Sequence, residues 1–346
     1  MSKIKTILFS KLSPKQIKIL GIFAIFLIFF AVEFFIYVNK CNNFYFTQEV
    51  PLTLLKEKPK NLSPFSGTPC KNYKRRALGV IVAQYLQTMP LSGISKADIV
   101  IEGPTANPGG VTRLLLIFQC NPPKEVGSIR SVRPYMVDIA LGYDVVLSSW
   151  GGASAAIKRI GYLGLDWFDA RVNPSGAFFR KRNRYAPHNG FAKPSILWTA
   201  VKQNKMRRTN QFKGYKFLEK SKIKPKKTVQ VINIDYYYPV KYVYDQKTGK
   251  YLRYWNNKMA IDLNTKKQAY ANNLILMKTK QGVLSFGVAD IKVLGSGTAL
   301  IYQSGKVIKG KWVKKAPKSK VFFFDARRKE MKFVPGPTWI ELVDKF

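Results

Sequence analysis

The sequence predicts an α+β protein with an N-terminal transmembrane helix, a mixed α/β domain and then a mainly antiparallel β domain. Three observations support this prediction. An almost wholly apolar run occupies residues 19–36, strand-like and helix-like runs alternate after residue 77, and short strand-like runs separated by turns follow residue 228. We expect five segments: a cytoplasmic basic segment at 1–18, a transmembrane helix at 19–38, an extracytoplasmic tether at 39–69, the α/β domain at 70–219 and the β-rich domain at 228–346.

The composition is that of a folded and strongly basic protein. Of its 346 residues, 46% are hydrophobic and 14% aromatic, which is typical of globular domains. The 59 lysines and arginines against 19 acids give a net charge of +40, which favours anionic partners such as nucleic acid, acidic lipid or a phosphate-rich polymer. A lysine-rich solvated surface without a binding role is the alternative. With one histidine and no C-x-x-C pair, we expect neither a metal nor a cofactor.

The apolar run at 19–36 has the length of a membrane span. Its 18 residues would reach about 27 Å at about 1.5 Å per helical residue. Lysines and no acid precede it, so the positive-inside rule places the N-terminus in the cytoplasm and the rest of the chain outside. A cleaved signal peptide is the alternative, but the run is long for one and no small-x-small cleavage site follows. The residues before Cys41 are not the small ones expected before a lipidated cysteine.

The first folded half shows alternating element types. We predict strands at 77–84, 98–102, 112–119 and 144–149, a helix that Pro134 opens and Gly142 ends, and helices at 154–160 and 195–204. Ser154 and Ser195 are the expected N-caps of the last two helices.

The second half is predicted to be an antiparallel β unit, because turn residues separate its strand-like runs. The predicted strands lie at 228–235, 240–245, 250–255, 274–278, 298–302, 307–313, 321–324 and 339–343.

Cys70 and Cys120 flank the first three predicted strands. Outside the membrane, oxidising conditions would let them form a disulfide. That bridge would close a loop of about fifty residues and stabilise the fold by about 3–4 kcal/mol. Cys41 would then be left over.

Two arginines three residues apart, Arg130 and Arg133, stand among small and apolar residues just before a predicted helix, and Arg113 lies in an apolar strand. A guanidinium held against a core is costly unless it meets an anion or a carboxylate. Because its planar fork binds phosphate or carboxylate through two hydrogen bonds, these three residues are the candidate anion-binding site. The alternative is that they brace the strands by pairing with acids. The candidate acids are Asp98, Glu102 and Asp138.

Glu102 and His188 are the candidate catalytic residues. Glu102 ends a strand and could act as a base, accept a hydrogen bond from a ligand hydroxyl, or pair with an arginine. His188 lies in a loop and could carry protons near neutral pH, or it could simply anchor that loop. No Ser-His-Asp set can be assigned. Several aromatic residues could stack on sugars, although at strand spacing such residues more often fill the core. They are Trp150, Trp167, Trp198, Tyr236, Tyr237, Tyr238, Trp255, Trp312 and Trp339.

Several blocks together resemble the bacterial YerB-like family, named for domain of unknown function 3048, over about residues 63–344. They are the blocks at 63–67, 75–77, 91–102, 110–113, 127–134, 186–189, 295–297, 310–312 and 336–340. The resemblance implies an extracytoplasmic, membrane-attached protein with an N-terminal mixed α/β part and a C-terminal β part, but no reaction. Many members look like lipoproteins, whereas this chain departs from them in its predicted transmembrane anchor.

Three functional hypotheses follow. The first is a membrane-anchored extracytoplasmic protein that binds an anionic envelope polymer or a lipid-linked phosphate. The second is an envelope hydrolase or transferase that uses His188 and Glu102 for acid–base chemistry. The third is a scaffold of an envelope complex, although the sequence indicates no particular protein partner. Nucleic acid is not expected outside the membrane. We favour binding, because the residues supply anion recognition more clearly than an activated nucleophile.

Overall fold

The computed structural model describes residues 13, 15, 21, 27–36, 61–106, 110–225, 228 and 230–346. The chain divides into two compact units, residues 1–60 and residues 61–346. In the first unit, residues 27–36 are helical with exposed side chains. Within the described stretches, no helix is both long and apolar enough to cross a membrane. Nearly all of the basic segment, much of the predicted transmembrane helix, Cys41 and the tether up to residue 60 lie outside the described residues.

The second unit is rich in strands and has a few short helices. Its described strands are β1 (Leu78–Gln84), β2 (Ile99–Pro104), β3 (Thr112–Phe118), β4 (Val126–Gly127), β5 (Val146–Ser149), β6 (Trp167–Asp169), β7 (Phe178–Arg180), β8 (Gly190–Ala192), β9 (Lys216–Phe217), β10 (Val231–Ile234), β11 (Val240–Asp245), β12 (Lys250–Trp255), β13 (Lys258–Met259), β14 (Tyr270–Ala271), β15 (Asn273–Lys278), β16 (Gln281–Val283), β17 (Ala289–Ile291), β18 (Gly295–Gln303), β19 (Lys306–Lys314), β20 (Phe322–Phe324), β21 (Lys332–Phe333) and β22 (Thr338–Val343). The described α-helices of this unit are α1 (Pro134–Gly142), α2 (Ser154–Leu163) and α3 (Pro194–Gln203).

One large sheet organises the unit. Among the described strands its order is β20-β19-β18-β15-β22-β2-β3-β1-β5-β6. The last strand, β22, pairs in parallel with both β2 and β15, and so joins the two halves of the chain. Residues 61–346 form one compact unit, and strands from both sides of the predicted boundary between residues 219 and 228 lie in this sheet.

The remaining strands form smaller sheets. A five-stranded sheet runs β10-β11-β12-β13, with β14 also paired to β12, and a three-stranded sheet runs β4-β8-β7. All eight strand runs predicted after residue 228 overlap observed strands. Their pairing is mostly antiparallel, and the parallel pairs of β22 are the departure from the prediction.

The central strands β1, β2 and β3 are buried along their whole length, so the sheet carries a core on each face. One core takes Val80, Val82 and the apolar side of α3. The other takes Ile81, Leu115 and the apolar side of α1. Successive side chains of a strand point to opposite faces, which explains this division.

The helix starts correct two of our predictions. Ala153, not Ser154, is the N-cap of α2, and Lys193, not Ser195, is the N-cap of α3. Neither helix has a side-chain cap. Pro194 opens α3, since its fixed φ suits the first turn of a helix. The prediction that Pro134 opens α1 is confirmed.

The fold begins earlier in the chain than the sequence indicated. Residues 61–69 were predicted to belong to the tether, yet Phe65 is fully buried and stacks on Phe212 with ring centroids 4.6 Å apart. The Cys70 amide also donates to the Asn61 carbonyl at 2.8 Å. The prolines of this segment suggested a linker. Instead, the buried Phe65 ring packs into the core and holds residues 61–69 against it.

The predicted bridge between Cys70 and Cys120 is confirmed, with a Cα–Cα distance of 5.4 Å and a sequence separation of 50. Because a bridge limits the unfolded chain, we expect its reduction to lower the free energy of unfolding by about 4 kcal/mol. Urea unfolding of the full chain with and without reductant measures this difference. The double variant Cys70→Ser, Cys120→Ser should match the reduced protein, and an unchanged midpoint in both would contradict the expectation.

Candidate functional site

The candidate arginines approach one another at one end of β1. Arg113 on β3 is the register partner of both Ala83 on β1 and Gly103 on β2. Strand alternation places its side chain on the sheet face that carries Leu115 and Ile117. This is the face that α1 covers.

The segment that carries the other two arginines continues the sheet beside the end of β1. The Ala83 amide donates to the Ser128 carbonyl at 2.9 Å, and the Arg130 amide donates to the Ile81 carbonyl at 3.0 Å. Arg133 is the N-cap of α1, so its side chain leaves the chain where the partial positive charge of the helix begins. The structure thus brings all three predicted arginines to one place, which sequence spacing alone could not establish.

The acids that could have braced these arginines are engaged elsewhere. Asp98 accepts hydrogen bonds from Ser66 and from a backbone amide, both at 2.8 Å. Asp138 pairs with Arg159 at 2.7 Å. Glu102 pairs with Arg253 at 2.6 Å. In the part of the chain that the structure describes, none of the three clustered arginines has a carboxylate oxygen within 4.0 Å.

The described hydrogen bonds of the three guanidinium groups all go to backbone carbonyls, at 3.1–3.5 Å. Arg113 is 6% exposed and donates through Nη1 to the Thr112 carbonyl at 3.1 Å. Arg130 donates to the Pro187 carbonyl at 3.2 Å, and Arg133 donates to the Thr105 carbonyl at 3.3 Å. The Nε atoms of Arg113 and Arg130 are buried and have no hydrogen-bond partner among the described residues. Unpaired buried donors of this kind are uncommon in native proteins and mark a site that an acceptor can complete.

The pKa values of the three arginines are lowered by the same surroundings. Burial, followed by the nearby guanidinium groups of Arg133 and Arg130, lowers the pKa of Arg113 to about 9. Burial also lowers the pKa of Arg133 and of Arg130, and repulsion from Arg180 adds to the effect at Arg130. Each cation is therefore less stable here than in water. A bound anion would offset the repulsion between the arginines and compensate for their lost hydration.

His188 lies beside the cluster. Burial and then the charges of Arg130 and Arg113 lower its pKa below the usual 6.5, so the imidazole is neutral at neutral pH. Its Nδ1 atom is buried and unpartnered among the described residues. Its backbone carbonyl accepts a hydrogen bond from the Ser128 hydroxyl at 2.7 Å, so the loop also anchors the segment that carries Arg130.

Glu102 lies outside the cluster. It is opposite Leu114 in the register and so on the sheet face away from Arg113. It is fully buried and accepts hydrogen bonds from Gln84, Thr112 and Arg253. The structure therefore places Glu102 and His188 in different surroundings, and Glu102 has the role of an arginine's partner.

Sequence reasoning missed the rest of this buried network. Arg253 on β12 is 1% exposed, and Glu341 on β22 is the register neighbour of Glu102. The Tyr242 hydroxyl donates to Glu341 at 2.6 Å. Burial, and then repulsion from Glu102, raises the pKa of Glu341 to about 8, so its carboxyl keeps a proton at neutral pH. A lone acid inside the apolar run at 339–343 was the signal that could have found it.

Comparison with known proteins places these observations in a family. The model of the protein of unknown function (DUF3048) N-terminal domain matches residues 65–207, which include the arginine cluster, and the model of the DUF3048 C-terminal domain matches residues 230–340. A Bacillus subtilis (strain 168) protein named "Putative lipoprotein YerB" is 30% identical over 297 residues, which cover 81% of this chain and 86% of that protein.

A solved structure has the same fold. The crystal structure of YerB protein from Bacillus subtilis matches with a TM-score of 0.74 and 27% sequence identity, and the match covers 83% of this chain and 97% of that one. The two family models together span most of residues 61–346. The chain therefore belongs to the YerB-like DUF3048 family.

Proposed function

We propose that this protein binds an anionic ligand of the cell envelope, bearing phosphate or carboxylate, through Arg113, Arg130 and Arg133. The observation that carries the proposal is the buried Arg113 guanidinium, which meets two further arginines and no described acid. A buried cation without a counter-charge costs several kcal/mol unless a ligand supplies one. An oxyanion would provide the acceptors that the unpartnered Nε atoms lack.

Access to the site supports the same proposal. Arg130, Arg133 and His188 are only partly buried, so the cluster reaches from solvent to the buried Arg113. The net charge of +40 would draw anions toward it. Three planar donor groups suit an oxyanion, because each can offer two parallel N–H groups.

We also place the folded unit on the outer side of a membrane. The apolar, lysine-preceded run at 19–36 supports a single-pass anchor with the N-terminus in the cytoplasm. The disulfide between Cys70 and Cys120 fits an oxidising compartment. The Bacillus subtilis relative is named "Putative lipoprotein YerB", and that name agrees with attachment to a membrane.

The test is anion binding by single variants. We expect Arg130→Ala and Arg133→Ala each to weaken binding of inorganic phosphate and of pyrophosphate at least tenfold, because each removes one of three converging cations. Isothermal titration calorimetry on the full chain at fixed ionic strength measures the affinities. Circular dichroism checks that both variants stay folded.

Arg207→Ala is the matched control. Arg207 is 31% exposed but pairs with Asp144. Its carbonyl accepts a hydrogen bond at 3.4 Å from Arg76, which lies two residues before β1, at the end of the strand away from Arg113. Its loss removes the same charge from the protein without touching the cluster, so phosphate affinity should stay within twofold. If all three variants lose affinity equally, binding reflects the general charge of the protein and the proposed site is wrong.

A further inference from the structure

An aromatic rim adjoins the arginine cluster, and we define it as Tyr85, His188, Tyr237 and Tyr238. The rings of His188 and Tyr85 stack at 5.4 Å with an interplanar angle of 15°. Tyr238 meets Tyr85 edge-on at 5.8 Å and Tyr237 at 4.9 Å. Tyr237 is 61% exposed, so the rim runs from the arginines to the surface.

The aromatic rim lies next to the arginine cluster. Tyr85 follows β1, whose Ala83 is the register partner of Arg113. Arg130 donates to the carbonyl of Pro187, the residue before His188, at 3.2 Å, so this end of the rim lies beside Arg130. A ligand that touched the arginines with one end would therefore meet aromatic rings with the other.

A second edge of the site combines an aromatic ring with a further cation. The Arg180 guanidinium lies 4.2 Å from the centroid of the Trp150 ring. The Trp150 amide donates to the Arg130 carbonyl at 3.1 Å. Arg180 is exposed, and its charge acts on Arg130. Positive charge thus extends from the surface at Arg180, through Arg130, to the buried Arg113.

Core packing accounts for only part of the rim, because Tyr238 packs on the buried Trp255 with ring centroids 4.8 Å apart. Of the aromatic residues singled out in the sequence, Trp255, Trp312 and Trp339 are buried and do fill the core. Tyr237 differs, because its ring is 61% exposed and gains little from packing. A tyrosine offers an apolar face together with a hydroxyl, and this combination suits a sugar ring with C–H groups on its face and hydroxyls at its edge.

We infer that the ligand is a phosphorylated saccharide, with its phosphate on the three arginines and a sugar ring against the aromatic rim. The inference rests on the proposed function and adds the ligand class to it. The buried end of the site is cationic and the open end is aromatic, so the phosphate enters first and the sugar stays near the surface.

The experiment compares small probes on the full chain in a polyoxyethylene detergent, because maltoside detergents themselves carry sugar. We expect glucose 1-phosphate to bind at least tenfold more tightly than inorganic phosphate, and glucose without phosphate to show no measurable binding. Tyr237→Ala and Tyr85→Leu should each weaken the binding of glucose 1-phosphate at least fivefold. The affinity for inorganic phosphate should stay within twofold of the wild-type value. Tyr162→Ala is the control, since Tyr162 on α2 is 87% exposed and not part of the rim.

The outcomes separate the two claims. If the wild-type protein binds neither phosphate nor pyrophosphate, the proposed function fails and the inference fails with it. If phosphate binds but glucose 1-phosphate binds no more tightly, only the saccharide inference is overturned. Adenosine 5′-monophosphate binding as tightly as glucose 1-phosphate would also overturn it, in favour of a nucleotide. Should Tyr85→Leu fail to fold, Tyr237→Ala still decides the matter, because that side chain is mostly exposed.

Discussion

The variant Arg113→Met is expected to unfold at higher temperature than the wild-type protein and to bind inorganic phosphate at least tenfold more weakly. The gain in stability should be about 1–3 kcal/mol, because methionine fills similar volume without a buried charge. Burial and two neighbouring guanidinium groups oppose the native cation, and among the described residues its guanidinium donates one hydrogen bond, to the Thr112 carbonyl. Thermal unfolding without phosphate and calorimetric titration with phosphate measure the two effects.

Arg76→Met is the matched control for this experiment. Arg76 is also 6% exposed, but it pairs with Asp166 and lies 3.5 Å from a carboxylate oxygen of Asp144. Its loss leaves buried acceptors unpaired, so we expect a destabilisation of about 2 kcal/mol or more and no change in phosphate affinity. If Arg113→Met raises the free energy of unfolding while Arg76→Met lowers it, Arg113 is identified as a ligand-binding residue. A destabilised Arg113→Met would instead make that residue a structural brace.

Stability is expected to fall as the pH rises from about 5 to 8, and Glu341 is the cause. Burial and repulsion from Glu102 raise the pKa of Glu341 from 4.5 to about 8 in the folded protein. Between these values the folded state keeps a proton that the unfolded state releases, so raising the pH favours unfolding. At about 1.4 kcal/mol for each unit of pKa difference, the loss is on the order of 3–4 kcal/mol. Urea unfolding across this pH range measures it.

Glu341→Gln should remove most of this dependence. The amide of glutamine can accept the hydrogen bond from Tyr242 and donate one to Glu102, as the protonated carboxyl does. The chain has one histidine, and Asp98 is the other described carboxyl group whose pKa is raised by burial. The pKa of His188 is lowered in the folded state, so its contribution has the opposite sign. Equal wild-type stability at pH 5.5 and pH 8 would contradict the assignment.

Much of the candidate site could be predicted from local sequence. Arg113 stood out because its flanking residues form a buried strand, and Arg130 and Arg133 stood out because a proline-led helix follows them. The bridge between Cys70 and Cys120 was predicted from its position around three strands and is confirmed. The arginine positions depend on residues close in the chain, where periodicity and turn chemistry are informative. The bridge joins cysteines 50 residues apart, and its prediction depended on the strands between them.

The ion-pair partners of buried side chains and the neighbours of each strand could not be predicted from local sequence. Glu102 was weighed as a partner for nearby arginines, yet its partner Arg253 lies 151 residues further along the chain. Strand β22 carries Glu341 between β2 and β15, and nothing in its apolar pattern indicates that position. An apolar run indicates that a strand is buried but does not identify its neighbours, so the shared sheet also escaped prediction.

By itself, the sequence determined where the strands, the principal helices and the three arginines lie, because hydrophobic period, proline and charge act over a few residues. Only the tertiary structure decided that those arginines meet with no acid of the described residues beside them, while Glu102 pairs with Arg253 on the other face of the sheet. It also decided that an aromatic rim stands beside them. The physical reason is that strand register and the packing of distant segments set which charges share a low-dielectric space, and neither is encoded within a short stretch of chain.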